Sequence, residues 1–132
     1  MLKPFLTRLL PAAFFVACAA LPAFASDWPQ WRGPDRTGFA PAGEKAPASL
    51  PADGKPVWKI PVGEGFASPV VAAGKVFYLA NVVTDEWVFA ADAASGKEIW
   101  KAKLFASHKD GFGIGPRCTP VVDGKLLFVQ SC

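Results

Sequence analysis

The fold of this chain is decided by the stretch Ala90-Ala91-Asp92-Ala93-Ala94-Ser95-Gly96-Lys97-Glu98-Ile99-Trp100. It contains the end of one predicted strand, a tight turn and the start of a second strand. An Asp side chain at position 92 can accept hydrogen bonds from backbone N–H groups two residues on, and Ser95 can add a hydroxyl contact. Gly96 can adopt the positive φ that a tight bulged turn requires. The stretch therefore predicts a β-hairpin.

The pattern around Trp100 occurs once before in the chain. Trp58 stands 42 residues earlier and is likewise preceded by Gly-Lys and two further residues. Downstream, Ser68-Pro69-Val70-Val71 matches Thr119-Pro120-Val121-Val122 at an offset of 51, so about nine extra residues fall within 105–117. A period of ~40–45 residues with about four strands per unit is typical of a β-propeller blade.

The region from residue 57 onward consists of short apolar runs separated by Gly, Asp and Ser, with no sustained helical periodicity. We predict an all-β fold, a partial β-propeller of about one and a half four-stranded antiparallel blades within residues 57–132. Tight turns are expected at 72–74, 93–96 and 123–124. The predicted strands are 57–62, 66–71, 75–80, 86–92, 97–104, 119–122 and 125–130.

The first 25 residues have the pattern of a cleaved signal peptide. Lys3 and Arg8 precede an apolar stretch that Pro22 interrupts, and Ala23-Phe24-Ala25 is a small-residue cleavage site. Cys18 lies in a context without the Leu of a lipoprotein box, so cleavage after residue 25 is preferred to lipid anchoring at this cysteine. We expect an exported protein, periplasmic or extracellular, in an oxidising compartment.

Removal of the signal peptide changes the charge balance. Two of the 14 basic residues lie in the signal peptide and all 11 acidic residues follow it, which leaves a formal charge of +1. This charge gives no indication of nucleic-acid binding, and no later stretch has the ~20 apolar residues of a transmembrane helix. Residues 26–56 are predicted to be a Pro/Gly-rich lead segment that Trp28 and Trp31 pin to the next domain.

The residues Ala90-x-Asp92-x-x-Ser95-Gly96-Lys97-x-x-Trp100 resemble the tryptophan-docking motif of pyrroloquinoline-quinone-type β-propeller repeats, with Ser for Thr at 95. The segments 27–34, 68–71 and 115–120 also resemble exported bacterial members of that family. The resemblance implies structural, blade-docking roles rather than catalytic ones. These roles are assigned to Ala90, Asp92, Ser95, Gly96 and Trp100, together with the earlier Trp58.

Two further groups of residues, in the segment 108–115, have side chains or spacings that resemble binding sites. Gly111, Gly113 and Gly115 do not have the spacing of a dinucleotide-binding loop, and Pro116 follows where a helix would begin, so a surface loop is preferred. His108 and Asp110 could supply two metal ligands, but the sequence has a single His, so a surface histidine is preferred. We identify no catalytic, cofactor-binding or metal-binding residues.

Two further pairs of residues could have a chemical role: the adjacent carboxylates Asp85 and Glu86, and the cysteines Cys118 and Cys132. Asp85 and Glu86 are expected in a solvated loop. Export would allow a disulfide between Cys118 and Cys132. A two-residue turn at 123–124 would instead place Cys132 three residues, ~10 Å, beyond the position opposite Cys118, so a disulfide is not favoured.

Two functions remain open at this point. The first is a non-catalytic scaffold or binding module that contacts further propeller blades or protein partners. The alternative is part of a quinone-dependent alcohol or sugar dehydrogenase whose catalytic residues lie beyond residue 132. Pyrroloquinoline quinone is implied as a cofactor only by the family resemblance, and whether the protein is an enzyme stays open.

A third class, WD-repeat propellers, lacks support because no G-H…W-D pattern occurs. Because a ring needs 4–8 blades, we expect the sequence to be a fragment of a larger propeller.

Overall fold

A computed structural model describes residues 26–45 and 47–131. The predicted signal peptide with Cys18, and Cys132 at the other end, lie outside the described residues. No helix in the described part of the chain is long and apolar enough to cross a membrane. All regular elements in this part are β-strands: β1 (Val70–Ala72), β2 (Lys75–Val82), β3 (Asp85–Asp92), β4 (Glu98–Ala106), β5 (Lys109–Asp110), β6 (Gly113–Ile114), β7 (Val121–Asp123) and β8 (Leu126–Phe128).

The strands form one four-stranded antiparallel sheet and two separate hairpins. The sheet has the order β1-β2-β3-β4, and the hairpins are β5-β6 and β7-β8. We call the sheet the first blade and the β7-β8 hairpin the second blade. The prediction of an all-β fold, with one full blade and the start of another, is confirmed. The small β5-β6 hairpin lies among the extra residues within 105–117, here called the insertion, and was not predicted.

The turn between β1 and β2 explains the register of the first blade. Ala72 pairs with Lys75, so Ala73 and Gly74 form a two-residue turn. Both have positive φ, 50° and 70°. This is the pattern of a type I′ turn, whose twist matches that of the two strands. The hairpin predicted around Gly74 is therefore confirmed.

The turn between β2 and β3 is tighter than the sequence suggests. Val82 pairs with Asp85, which leaves only Val83 and Thr84 in the turn, and Val83 has a φ of 59°. Asp85 and Glu86 are consequently the first residues of β3, and the expectation of a solvated loop is wrong. Glu86 is completely buried, because strand alternation directs it toward the second blade.

One face of the first blade packs against the second blade. Side chains on this second-blade face alternate along β1, β2 and β3, as expected for strands with one buried side. Val122 of β7 and Leu127 of β8 pack against it. The buried hydrophobic core at this contact consists of Val70, Ala72, Phe77 and Ala90.

The opposite face, here called the lead face, is covered in part by the segment that precedes β1. Tyr78 and Phe89 stack on this face with ring centroids 4.8 Å apart and planes 4° from parallel. Burial, with a smaller contribution from the charge of Glu98, raises the pKa of the Tyr78 hydroxyl. A cavity of about 250 Å³ separates this face from Trp58 and Ile60.

Residues 57–69 differ from the sequence prediction. Residues 57–62 form no strand: their backbone groups take part in no ladder among the described residues, and Pro61 lacks an N–H. Strand β1 begins at Val70 rather than at residue 66. The N–H groups of Phe66 and Ala67 donate instead to the Pro116 carbonyl oxygen, at 2.7 and 3.1 Å. These two N–H groups therefore bond to the insertion and do not extend strand β1.

The register of the second blade also differs from the prediction. Asp123 pairs with Leu126, so the turn residues are Gly124 and Lys125, with Gly124 at a φ of 56°. Glycine at the first turn position suits a type II′ hairpin, which explains the two-residue change in register. The register from which the distance between Cys118 and Cys132 was argued is therefore wrong, and the observed ladder ends at Val121 and Phe128, short of Cys118. Cys118 is half-buried and free.

The lead segment contacts both blades at their inner strands. Trp28 forms an antiparallel bridge with Val71, with N···O distances of 2.7 and 2.9 Å. The carbonyl oxygen of Pro29 accepts a 2.8 Å hydrogen bond from the N–H of Val122. Residues 28–29 thus connect β1 to β7. Trp28 is half-buried and lies on Gly33, whereas Trp31 is 59% exposed.

Candidate functional site

The turn between β3 and β4 is built around the Asp92 carboxylate. Its Oδ1 accepts hydrogen bonds from the Ser95 backbone N–H at 2.8 Å and from the Ser95 hydroxyl at 2.6 Å. The Gly96 N–H donates to the Asp92 carbonyl oxygen at 2.8 Å. The side-chain hydrogen bond from Ser95, followed by its backbone bond, lowers the pKa of Asp92. The carboxylate thus supports the turn while it is ionised.

Trp58 lies on this turn although it precedes it by 35 residues or more. The indole Nε1–H donates a 2.9 Å hydrogen bond to the Ala93 carbonyl oxygen. A Cβ added to Gly96 would lie 2.8 Å from Cδ2 and Cε3 of the Trp58 ring. Gly96 also has a φ of 70°. Only a glycine therefore allows both the backbone conformation of this turn and the close approach of the indole.

We call this contact between Trp58 and residues 92–96 the tryptophan joint. An aromatic side chain buries roughly 150–250 Å² when fully enclosed, which stabilises by up to about 4–6 kcal/mol at ~25 cal/mol per Å². Trp58 is half-buried, so its contribution lies toward the lower end. The Nε1 bond adds about 1 kcal/mol. The joint attaches the segment before β1 to the turn between β3 and β4 of the first blade.

Ala90 and Trp100 pair across β3 and β4, on the second-blade face. Ala90 is completely buried, and a β-bulge follows it between Ala90 and Ala91. Trp100 is 39% exposed and its ring centroid lies 6.1 Å from that of Phe77. The indole borders a cavity of about 360 Å³ that also contacts the second blade at Gly124–Leu127. Trp58 and Trp100, equivalent in the repeat, therefore have different surroundings.

The insertion after β4 is held by an ion pair and by its glycines. Arg117 Nη2 lies 2.6 Å from Asp110 Oδ1, and the guanidinium stacks on Phe66 with its Cζ 4.7 Å from the ring centroid. A Cβ on Gly115 would lie 2.7 Å from the Glu64 carbonyl oxygen. Asp110 thus orders the loop through Arg117. No group of three or more His, Cys, Asp or Glu side chains that could hold a metal ion occurs in residues 26–45 and 47–131.

A polar cluster, formed by Asn81, Glu86, Ser107 and Ser131, lies at the end of the second-blade face near the insertion. The Ser131 hydroxyl donates a 2.6 Å hydrogen bond to Glu86 Oε2. The Ser107 hydroxyl bonds the Asn81 side-chain oxygen. Glu86 Oε1 is buried and has no hydrogen-bond partner among the residues that the structure describes. Sequence reasoning missed this cluster; an apolar-polar alternation count along β3 would have placed Glu86 on the same face as Val88 and Ala90.

The structure brings four of the six predicted site residues together in the tryptophan joint and pairs the other two, Ala90 and Trp100, across β3 and β4. Asp92, Ser95, Gly96 and Trp58 meet in the tryptophan joint. Ala90 lies in the core nearby. Trp100 lies apart from the joint, on the second-blade face.

Comparison with known proteins agrees with this architecture. A family model described as "Outer membrane protein assembly factor BamB" matches residues 48–131, nearly two thirds of the chain. No curated protein matches the chain significantly, and no solved structure does. The matched span contains Trp58, the whole first blade and the second-blade hairpin, so the chain belongs to this family of pyrroloquinoline-quinone-type β-propeller repeat proteins.

Proposed function

We propose that this protein is exported and acts as a non-catalytic propeller scaffold, a surface for protein partners in the periplasm. The observation that carries the proposal is the tryptophan joint. Its carboxylate, hydroxyl and indole are all used in contacts within the protein: Asp92 with Ser95, and Trp58 with Ala93. The description of the matching family, an outer membrane assembly factor, supports a role in which the propeller binds other proteins.

Within this proposal, the six motif residues have docking roles: the tryptophan joint fastens the segment before β1 to the first blade, and Ala90 and Trp100 lie on the face that meets the second blade. Trp58 supplies an indole from the segment preceding β1, and residues 92–96 supply the turn that receives it. Residues 1–25 direct export, residues 26–56 form the lead segment, and residues 57–132 carry the repeat. The contact of residues 28–29 with both β1 and β7 supports a lead segment that fastens two blades at their inner edge.

Export can be tested separately from binding. The full chain is expressed from its own coding sequence with a C-terminal epitope tag, and the periplasmic, membrane and cytoplasmic fractions are compared. We expect a processed, periplasmic product, and retention in the cytoplasm when residues 2–25 are deleted. A full-length cytoplasmic product from the unaltered sequence would contradict the proposal. A Cys18→Ala variant serves as the matched control and should be exported and processed equally.

The scaffold role is tested by genetic and enzymatic comparison. Deletion of the coding sequence should reduce the amount of assembled outer membrane proteins in the source organism, and the Gly96→Ala variant should restore less than the unaltered gene. In parallel, the purified protein is mixed with pyrroloquinoline quinone and Ca²⁺ and assayed for dye-linked alcohol or sugar oxidation. Unchanged outer membrane proteins, or quinone-dependent oxidation, would overturn a non-catalytic scaffold role.

A further inference from the structure

Glu86 is a completely buried carboxyl group with one oxygen that has no partner among the described residues. The residue is 0% exposed, and its Oε2 has one neutral donor, the Ser131 hydroxyl. Its Oε1 has no partner, and none of the ion pairs in the described residues includes Glu86. A buried carboxylate costs several kcal/mol unless a positive partner offsets the lost hydration. Glu86 Oε1 is therefore free to accept a positively charged ligand that the described side chains do not supply.

The groups beside Glu86 present oxygen atoms. Asn81 is its cross-strand partner, and the Asn81 backbone N–H donates to the Glu64 carbonyl oxygen at 2.8 Å, away from β3. This is the orientation of a non-hydrogen-bonded pair, in which opposing side chains approach most closely. Asn81 Nδ2 is directed to the Val83 carbonyl oxygen, at 3.4 Å. The amide oxygen of Asn81 accepts a hydrogen bond from the Ser107 hydroxyl, and both oxygens retain lone pairs that could coordinate a cation.

A hard metal cation takes oxygen ligands such as carboxylate, amide and hydroxyl groups. Glu86 is the one acidic side chain of the four in the polar cluster, so the carboxylate form of the cluster has a single negative charge. A single positive charge balances it, whereas a divalent ion would leave a buried excess. We propose that the polar cluster binds a monovalent metal cation, Na⁺ or K⁺, with Glu86 Oε1 as its charged ligand.

The proposed cation ties the two blades together. Glu86 belongs to β3 of the first blade, and Ser131 follows β8 of the second, 45 residues later. A ligand bound to both reinforces the contact that Val122 and Leu127 make with the first blade. This role is independent of what the propeller binds. The cation site can therefore be tested without assuming the scaffold function.

Thermal unfolding of the full chain in different salts tests the site. The protein is dialysed into a choline chloride buffer free of Na⁺ and K⁺, and is then melted in NaCl, KCl or choline chloride at the same ionic strength. A ligand that binds the folded state at ten times its Kd raises the midpoint by roughly 5–10 °C. We expect such a rise in NaCl or KCl relative to choline chloride. Equal midpoints in all three salts would overturn the proposal.

Variants separate the site from general salt effects. Glu86→Gln keeps the shape of the side chain and removes its charge, so the difference between metal and choline salts should vanish. The matched control is Glu98→Gln, which removes an exposed carboxylate beside Lys101 and should keep the full difference. A difference that persists in Glu86→Gln would refute Glu86 as the ligand.

A direct measurement covers the case in which Glu86→Gln does not fold. Thallium(I) substitutes for K⁺ and is observed by ²⁰⁵Tl NMR in a chloride-free buffer. The unaltered protein should give a bound signal that K⁺ or Na⁺ displaces, and Ser131→Ala should weaken thallium binding several-fold. Absence of a bound signal, or a signal that neither ion displaces, would contradict a monovalent cation site.

Discussion

The indole of Trp58 lies directly on Gly96, so close that a Cβ on this glycine would be 2.8 Å from the ring. The Nε1–H of the same indole donates to the Ala93 carbonyl oxygen at 2.9 Å. A residue before the first strand is thereby attached to the turn between the third and fourth strands. This contact makes the first blade depend on a segment outside its own sheet, and it leads to the first two predictions.

Gly96→Ala should destabilise the protein more than the same change at Gly74. Both glycines have a φ of 70°, but a Cβ on Gly74 has no atom within 4 Å. The positive φ costs about 1–2 kcal/mol at either position, and overpacking against Trp58 adds about 1–3 kcal/mol at Gly96 alone. Urea denaturation followed by circular dichroism measures both variants. Equal losses would show that the indole does not restrict this position.

Trp58→Phe should lower the free energy of unfolding by about 1–3 kcal/mol, because the Ala93 carbonyl oxygen loses its donor. The control is Trp31→Phe, since Trp31 is 59% exposed and makes no such hydrogen bond. This change should stay within about 0.5 kcal/mol of the unaltered protein. Chemical denaturation monitored by far-ultraviolet circular dichroism compares the two. A Trp58→Phe protein as stable as Trp31→Phe would exclude the joint as a source of stability.

The stability of the protein should depend on the ionisation of Asp92 at low pH. Ser95 lowers the pKa of Asp92 from its usual 3.8, because its hydroxyl and N–H favour the charged carboxylate. The contribution is therefore fully present above the unfolded pKa and is lost as the pH falls through the lower folded pKa. Thermal midpoints are measured at steps from about pH 5 to pH 2.

Ser95→Ala should remove part of this pH dependence, and Asp92→Asn should remove all of it. Glu44, whose pKa is lowered by hydrogen bonds from Ser26, contributes in the same range and is unaffected by both changes. The difference in thermal midpoint between each variant and the unaltered protein, followed across the pH range, thus gives the contribution of Asp92 ionisation to stability. Parallel curves for all three proteins would mean that Asp92 does not support the turn.

Val83→Asn should stabilise the protein. Val83 is a β-branched residue with a φ of 59°, and it is 85% exposed, so its side chain gains little from burial. Asn tolerates the left-handed conformation better, which should raise the free energy of unfolding by about 0.5–1 kcal/mol. Val57→Asn is the control, because Val57 is 92% exposed without a positive φ. A loss of stability in Val83→Asn, or an equal gain in Val57→Asn, would contradict this explanation.

Much of the fold could be predicted because its signals are local. The Ala73-Gly74 and Asp92–Lys97 turns depend on residues a few positions apart, so their glycines and hydrogen-bonding side chains identify them without a tertiary structure. The second-blade hairpin was also identified, but its register was not. The prediction placed Gly124 at the second turn position, after Asp123, whereas the structure has it at the first, before Lys125. Glycine is favourable at either position, so the sequence does not distinguish the two registers.

The sequence by itself determined the β-architecture, the repeat and the turn chemistry of the tryptophan motif. Only the tertiary structure decided which surface each side chain meets. It brought Trp58 onto Gly96, left Trp100 partly exposed, and buried Glu86 beneath Ser131. The physical reason is that a turn is stabilised by its nearest neighbours. Burial is set by residues tens of positions away, such as Ser131 above Glu86, whose approach depends on how the blades pack.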